Sequence, residues 1–199
     1  METAAHNATQ NYAQGTRLAP LDPPYEPELA RTLERMMPPG VEPLKLFRTV
    51  AHNPYILDKL RSTGAYLLNY GTLPAADREL VIDRTCARCG CEYEWGVHVA
   101  VFGEQVGLSD QQLRATVTGD HTDPAFEAHQ ALLIEAVDAL HDTATVSEHL
   151  WGRLAERYSR PQLVELIALV GQYHAVSFMA NALGVELEHF AARFPGSAA

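Results

Sequence analysis

Arg88-Cys-Gly-Cys-Glu-Tyr-Glu-Trp-Gly-Val-His98-Val-Ala-Val-Phe102 is the stretch that organises the chain. Gly90 is placed to stop a preceding helix, because glycine tolerates the left-handed conformation in which helices end. Beyond it, Cys91, Glu94 and His98 stand at i, i+3 and i+7. At about 100° per residue a helix gathers those side chains onto one stripe roughly 60° wide. A thiol, a carboxylate and an imidazole on one stripe, flanked by Trp95, Val99, Val101 and Phe102, make a poor packing surface. They make a reasonable surface for moving protons or for redox chemistry.

Working outward, helical periodicity recurs on both sides. A helix from Pro74 to Cys89 carries Glu79, Asp83 and Cys86 on its own stripe, with Arg84 and Arg88 near enough in sequence to neutralise the carboxylates. Earlier helices are predicted over Glu26–Met37, Leu44–Ala51, and from Asn53-Pro54 to about Tyr70. The Cys91 helix is predicted to run to about Gly107, and Ser109-Asp-Gln-Gln112 reads as a capping box. Asp123-Pro124 opens a longer helix, Thr145–Glu148 caps the next, and Ser159-Arg-Pro-Gln162 caps a last one, Leu163–Leu183. That last helix is apolar nearly all round, the pattern of a central helix. No stretch alternates with period two, so the fold class is all-α. Residues 1–24, polar and then proline-rich, read as an extended, partly disordered arm, and 25–199 as a single all-helical domain.

The 199 residues, 47% hydrophobic, suffice for one domain with a sizeable core. A net charge of −10 without a basic block argues against nucleic acid and anionic membrane as partners. No uninterrupted apolar run approaches the ~20 residues of a membrane span, and Met1–Thr9 does not have the pattern of a secretory signal. Three cysteines between Cys86 and Cys91 suggest a reducing, cytoplasmic setting rather than a disulfide framework.

Several residues admit two readings. Cys91, in the first turn of its helix, is either a thiolate favoured by the helix dipole or a small buried hydrophobe. Glu94 and His98 are either a carboxylate-oriented acid/base pair or a surface ion pair. Cys86-Ala-Arg-Cys89 has the spacing of a redox pair but falls at a helix C-terminus, where the dipole disfavours a thiolate. A zinc site from Cys86, Cys89, Cys91 and His98 lacks the separated knuckles such sites use, and Glu186–His189 reads as a solvated helix end rather than half of a di-iron motif. No metal or cofactor is expected. Tyr173 and His174 are either a hydrogen-bonded core pair or lining for a pocket near His98, and Asn181 shares those readings.

Glu79, then Cys91 twelve residues on, then Glu94, Trp95 and His98, resemble the carboxymuconolactone decarboxylase and alkylhydroperoxidase D family. The Tyr93-Glu-Trp-Gly-Val-His98 string, Gly107-Leu-Ser109, Leu46–Pro54, the Leu73–Leu80 segment and Gly171–Leu183 extend the resemblance over residues 17–195. It implies an all-helical homo-oligomer, dimer to hexamer, with active-site helices near subunit contacts. The peroxidase branch of that family uses a Glu, a C-x-x-C and a His, whereas the lyase branch uses acid/base groups without a redox pair. Carried over, Glu79 matches the family Glu, Cys91 the first Cys and His98 the His. Glu94 stands where the second Cys belongs, so the dithiol cycle is incomplete.

The reading that follows is a small-molecule enzyme using general acid/base chemistry (decarboxylation, lactone chemistry or isomerisation). Catalysis is assigned to His98, Glu94, Glu79 and Cys91, and substrate binding to Tyr93, Trp95, Tyr173 and His174. The alternatives are a thiol peroxidase centred on Cys91 and a non-catalytic, ligand-binding helical oligomer.

Overall fold

The computed structural model describes residues 15–197, and among them only helices, turns and irregular segments occur. The helices are α1 (Pro27–Glu34), α2 (Lys45–Val50), α3 (Pro54–Asn69), α4 (Ala75–Arg88), α5 (Glu92–His98), α6 (Asp110–Thr118), α7 (Ala128–Thr143), α8 (Glu148–Arg157) and α9 (Arg160–Leu183). A π-helical turn, Val99–Gly103, continues α5. The expected start of the N-terminal arm lies outside the described residues.

Local chemistry sets most boundaries. Asn53 caps α3 by accepting from the Ile56 amide at 3.2 Å, with Pro54 at the first helical position. Ser109 with Gln112 and Ser159 with Gln162 form reciprocal capping boxes. Two expected starts move. Asp123 takes the Ala125 amide in a local turn, so α7 begins only at Ala128, where Glu127 and Gln130 cap each other. Ser147, rather than Thr145, caps α8 by accepting from the Leu150 amide. The Cys91 helix does not run unbroken to Gly107, because it widens into the π turn immediately after His98.

The last helix, α9, packs against α2, α3, α4, α5, α7 and α8, as expected of a central helix, and the most enclosed helix is α4, packed against α5, α6, α7 and α9. Its polar residues are therefore buried as well, and each needs a partner. Arg84 meets Asp138 through two parallel bonds of 2.7 and 2.8 Å and donates to the Thr116 and Gly119 carbonyls. Arg88 pairs with Asp142. The arginines expected to neutralise the Glu79 stripe are thus engaged elsewhere.

One flank of α9 lies on α4, while Val164, Ile167 and Phe178 remain exposed. By length and composition alone this helix is apolar enough to cross a membrane, because Glu165 interrupts its apolar run without making it polar. Glu165 is buried here, accepting from the Thr72 amide and hydroxyl and the Leu73 amide. Both ends of the described chain are strapped to the bundle. Arg17 and Leu18 amides donate to the Leu183 carbonyl. The Ala192 amide donates to the Gly96 carbonyl at 3.0 Å, and a Cβ on Gly96 would lie 2.2 Å from the Ala192 oxygen. That close approach is what requires glycine inside the Trp95-Gly-Val-His98 string.

The junction between α4 and α5 is a Schellman turn. Gly90 has φ +60°, its amide donates to the Ala87 carbonyl, and the Cys91 amide donates to the Cys86 carbonyl. The turn folds α5 back against α4 and brings their two polar stripes together.

Candidate active site

His98, at the end of α5, is 4% exposed, so its ring must find partners inside the protein. Its Nδ1 donates to Glu79 Oε2 at 2.7 Å. Its Nε2 lies 3.1 Å from the Tyr173 hydroxyl and 3.4 Å from Glu94 Oε1. Burial alone would strip the ring of its charge, but the hydrogen bonds and negative charges of Glu79 and Glu94 outweigh it and hold the imidazole up at about 10. At neutral pH the ring is therefore an imidazolium, donating from both nitrogens.

The surroundings divide the charge. Arg78 donates to Glu79 Oε1 at 2.9 Å and anchors on the Leu68 carbonyl, so Glu79 bridges a guanidinium and an imidazolium. Glu94 Oε2 is buried and has no hydrogen-bond partner among the described residues. Asp83, one turn along α4 from Glu79, is also buried, and its Oδ1 is unpartnered. Burial pushes this carboxyl well above the usual range, with His98 opposing the effect and Glu79 adding to it. Burial likewise keeps Tyr173 a phenol. Phe102, half-buried on the π turn, lies with its ring 5.2 Å from that of His98. Two surface hollows, one bounded by Trp151, Leu163 and Ile167 and one by Thr16, Lys45 and Glu186, include no member of this cluster.

Of the residues assigned to catalysis, Glu79, Glu94 and His98 come together. Cys91 is the N-cap of α5 and fully buried. Burial pushes its thiol up to about 12, against the partial relief offered by the Glu94 amide, so the dipole argument for a thiolate loses to desolvation. Burial also raises Cys86 and Cys89, and all three cysteines are free.

Of the residues assigned to substrate binding, only Tyr173 touches His98. Tyr93 donates to Glu188 at 2.7 Å and accepts from the Leu46 amide, which ties α5 to the C-terminal segment and α2. Trp95 donates to Thr116 at 3.0 Å and packs on Phe194. Both rings are core anchors. His174 faces away from this cluster's hydrogen bonds and pairs with His141 at 2.9 Å. Asn181 donates to the Cys89 carbonyl at the α4 terminus. Glu186–His189 is irregular chain beyond the Gly184 helix stop rather than a helix end.

Arg78 and the unpartnered, buried Asp83 carboxyl were missed as site features. Arg78 is adjacent in sequence to Glu79, but an i, i+1 neighbour on a helix does not ordinarily share its face, so no spacing rule points to it.

Residues 54–138 match the carboxymuconolactone decarboxylase family, so the sequence resemblance is borne out across the segment from α3 into α7. No curated protein matches the chain. Among solved structures, an uncharacterised peroxidase-related protein from Silicibacter sp. TM1040 is similar with a TM-score of 0.73 at 15% identity, over 88% of this chain and 95% of that one. The debrominase Bmp8 is similar with a TM-score of 0.69 at 14% identity, over 86% and 92%. It is also known as a cysteine-to-alanine variant in complex with 2,3,4-tribromopyrrole. An Agrobacterium tumefaciens protein of unknown function, assigned to AhpD-type antioxidant defence, is similar with a TM-score of 0.64 at 17% identity, over 70% and 94%. At these identities the likeness establishes a shared all-helical, AhpD-like fold.

Proposed function

We propose that this chain, which matches the carboxymuconolactone decarboxylase family over residues 54–138, is a small-molecule enzyme working by general acid/base catalysis at Glu79, Glu94 and His98. The observation that carries the reading is a buried imidazole held at 2.7 Å by one acid and at 3.4 Å by a second whose other oxygen is unpartnered. Glu94 Oε2 is the free acceptor and His98 Nε2–H the donor. For a substrate with an acidic hydrogen beside a carbonyl, Glu94 takes that proton. The C–H electron pair becomes the enolate, and Nε2–H stabilises or protonates the enolate oxygen. Return of a proton to a different carbon completes an isomerisation. In a β-keto acid the pair comes instead from the breaking C–C bond as carbon dioxide leaves. Glu79, held by Arg78, keeps the ring protonated and oriented, and Tyr173 holds the Nε2 side. A positioned proton-transfer group of this kind contributes about 10²–10⁴ in rate. Displacement of Phe102 admits the substrate. The bare α9 face at Val164, Ile167 and Phe178 supports self-association as the assembly mode.

Burial and protonation of Cys86 and Cys91 count against the thiol-peroxidase reading. The test is hydrogen–deuterium exchange at the α-carbon of a panel of keto acids and lactones in D2O, followed by NMR. Wild-type protein should accelerate exchange, Glu94→Gln and His98→Gln should lose it, and Cys91→Ser should keep it. Exchange that ignores both acid/base substitutions, or that disappears in Cys91→Ser, defeats the proposal.

A further inference from the structure

We propose that Cys89, His141 and His174 form a binding site for a divalent ion of borderline softness, with zinc the best fit. The three residues come from the end of α4, from α7 and from α9, and all are half-buried. One ligand atom from each lies within 4.8 Å of the others. His141 Nδ1 and His174 Nε2 face each other at 2.9 Å. His174 Nδ1 donates to the Val170 carbonyl at 2.8 Å, since a carbonyl can only accept. That bond leaves the lone pair of neutral His174 on Nε2, pointing toward His141 and Cys89. A ring nitrogen held by a backbone carbonyl while the other faces the ion is the usual outer support of a metal-binding histidine.

The donor set selects the ion. Two imidazoles and a thiolate suit zinc and related transition metals, whereas magnesium and calcium require oxygen ligands. At zinc–nitrogen distances of 2.0–2.1 Å, tetrahedral geometry separates two nitrogens by about 3.3 Å. The rings need to part by only about 0.4 Å from their present contact, a small side-chain rotation. Protons balance: Cys89 gives its thiol proton to solvent, and His141 shifts its own from Nδ1 to the outer nitrogen. Three protein ligands leave one position open, and the partial exposure of the residues lets water or an anion take it. The adjacent cation, Arg88, is neutralised by Asp138 and Asp142. No two of the three residues are close in sequence, which is why a search for metal-ligand spacing passes over them.

The full-length protein, stripped with a chelator and kept in a non-thiol reductant, is titrated with zinc against a chromophoric chelator. One ion per chain is expected. Affinity should fall by at least about tenfold in His141→Ala, His174→Ala and Cys89→Ser. It should be unchanged in His149→Ala, which alters an exposed histidine elsewhere. Cobalt in place of zinc should give wild-type protein a thiolate-to-metal absorption band that Cys89→Ser lacks. That spectrum does not depend on any variant folding. Failure of wild-type protein to bind zinc, binding indifferent to all three substitutions, or a cobalt spectrum without the thiolate band would overturn the site.

Discussion

Glu79 Oε2 and His98 Nδ1 lie 2.7 Å apart across the Gly90 turn, joining α4 to the helix that follows it. Both side chains are almost fully buried, and the His98 charge depends on the carboxylate beside it. Replacing Glu79 with glutamine leaves the imidazolium short of one anion. The His98 titration, followed by NMR of its ring protons, should fall from about 10 toward the ordinary histidine value. Stability should drop by roughly 3 kcal/mol or more in denaturant unfolding, because one half of a buried pair is left behind.

The same pair predicts how stability depends on pH. The His98 pKa is raised on folding, so its contribution is complete below about 6.5 and is lost as pH rises through about 10. Unfolding free energy should decline across that window by on the order of a few kcal/mol. His98→Gln should flatten the decline, and an equal slope in the variant would assign it to other groups.

Asp83 carries the opposite balance. Its pKa is raised by burial, so the unfolded chain releases a proton that the folded chain keeps, and the group increasingly destabilises the protein above pH ~4. Asp83→Asn should therefore melt at or above the wild-type temperature at pH 7, with the gap widening as pH increases from 4. A lower melting temperature would mean that the acid has a partner worth more than its desolvation.

Phe102 is the half-buried ring against His98. Phe102→Ala should expose the imidazolium and speed its exchange with solvent, measured by NMR of the ring N–H. Turnover of bulky substrates should rise relative to small ones. Unaltered exchange would place the entry route elsewhere.

The thiols should differ in reactivity. Cys89 is half-buried, whereas Cys86 and Cys91 are fully buried and protonated. Alkylation of the native protein at pH 8, read by mass spectrometry, should mark Cys89 first and the other two only after unfolding. Rapid labelling of Cys91 would revive thiol chemistry.

The all-helical class, most helix starts and the Glu94–His98 pairing on one helix face can be read from the chain alone. Capping bonds, glycine stops and 3.6-residue periodicity act over only a few neighbours, so residues such as Asn53, Ser109, Gly90 and Ser159 announce their elements directly. Where two cues competed, as at Asp123 and Glu127, the local turn won and the boundary moved. Periodicity says which residues share a face but not which face of another helix they meet. That depends on the packing of whole helices and on the reversal at Gly90. Only the folded protein decided that Glu79 reaches His98, that Tyr173 arrives from 75 residues away, and that Arg78 rather than Arg84 or Arg88 guards the carboxylate. It also decided the protonation of the ring, because charge at a buried site is set by the sum of desolvation and neighbours brought together from distant parts of the chain.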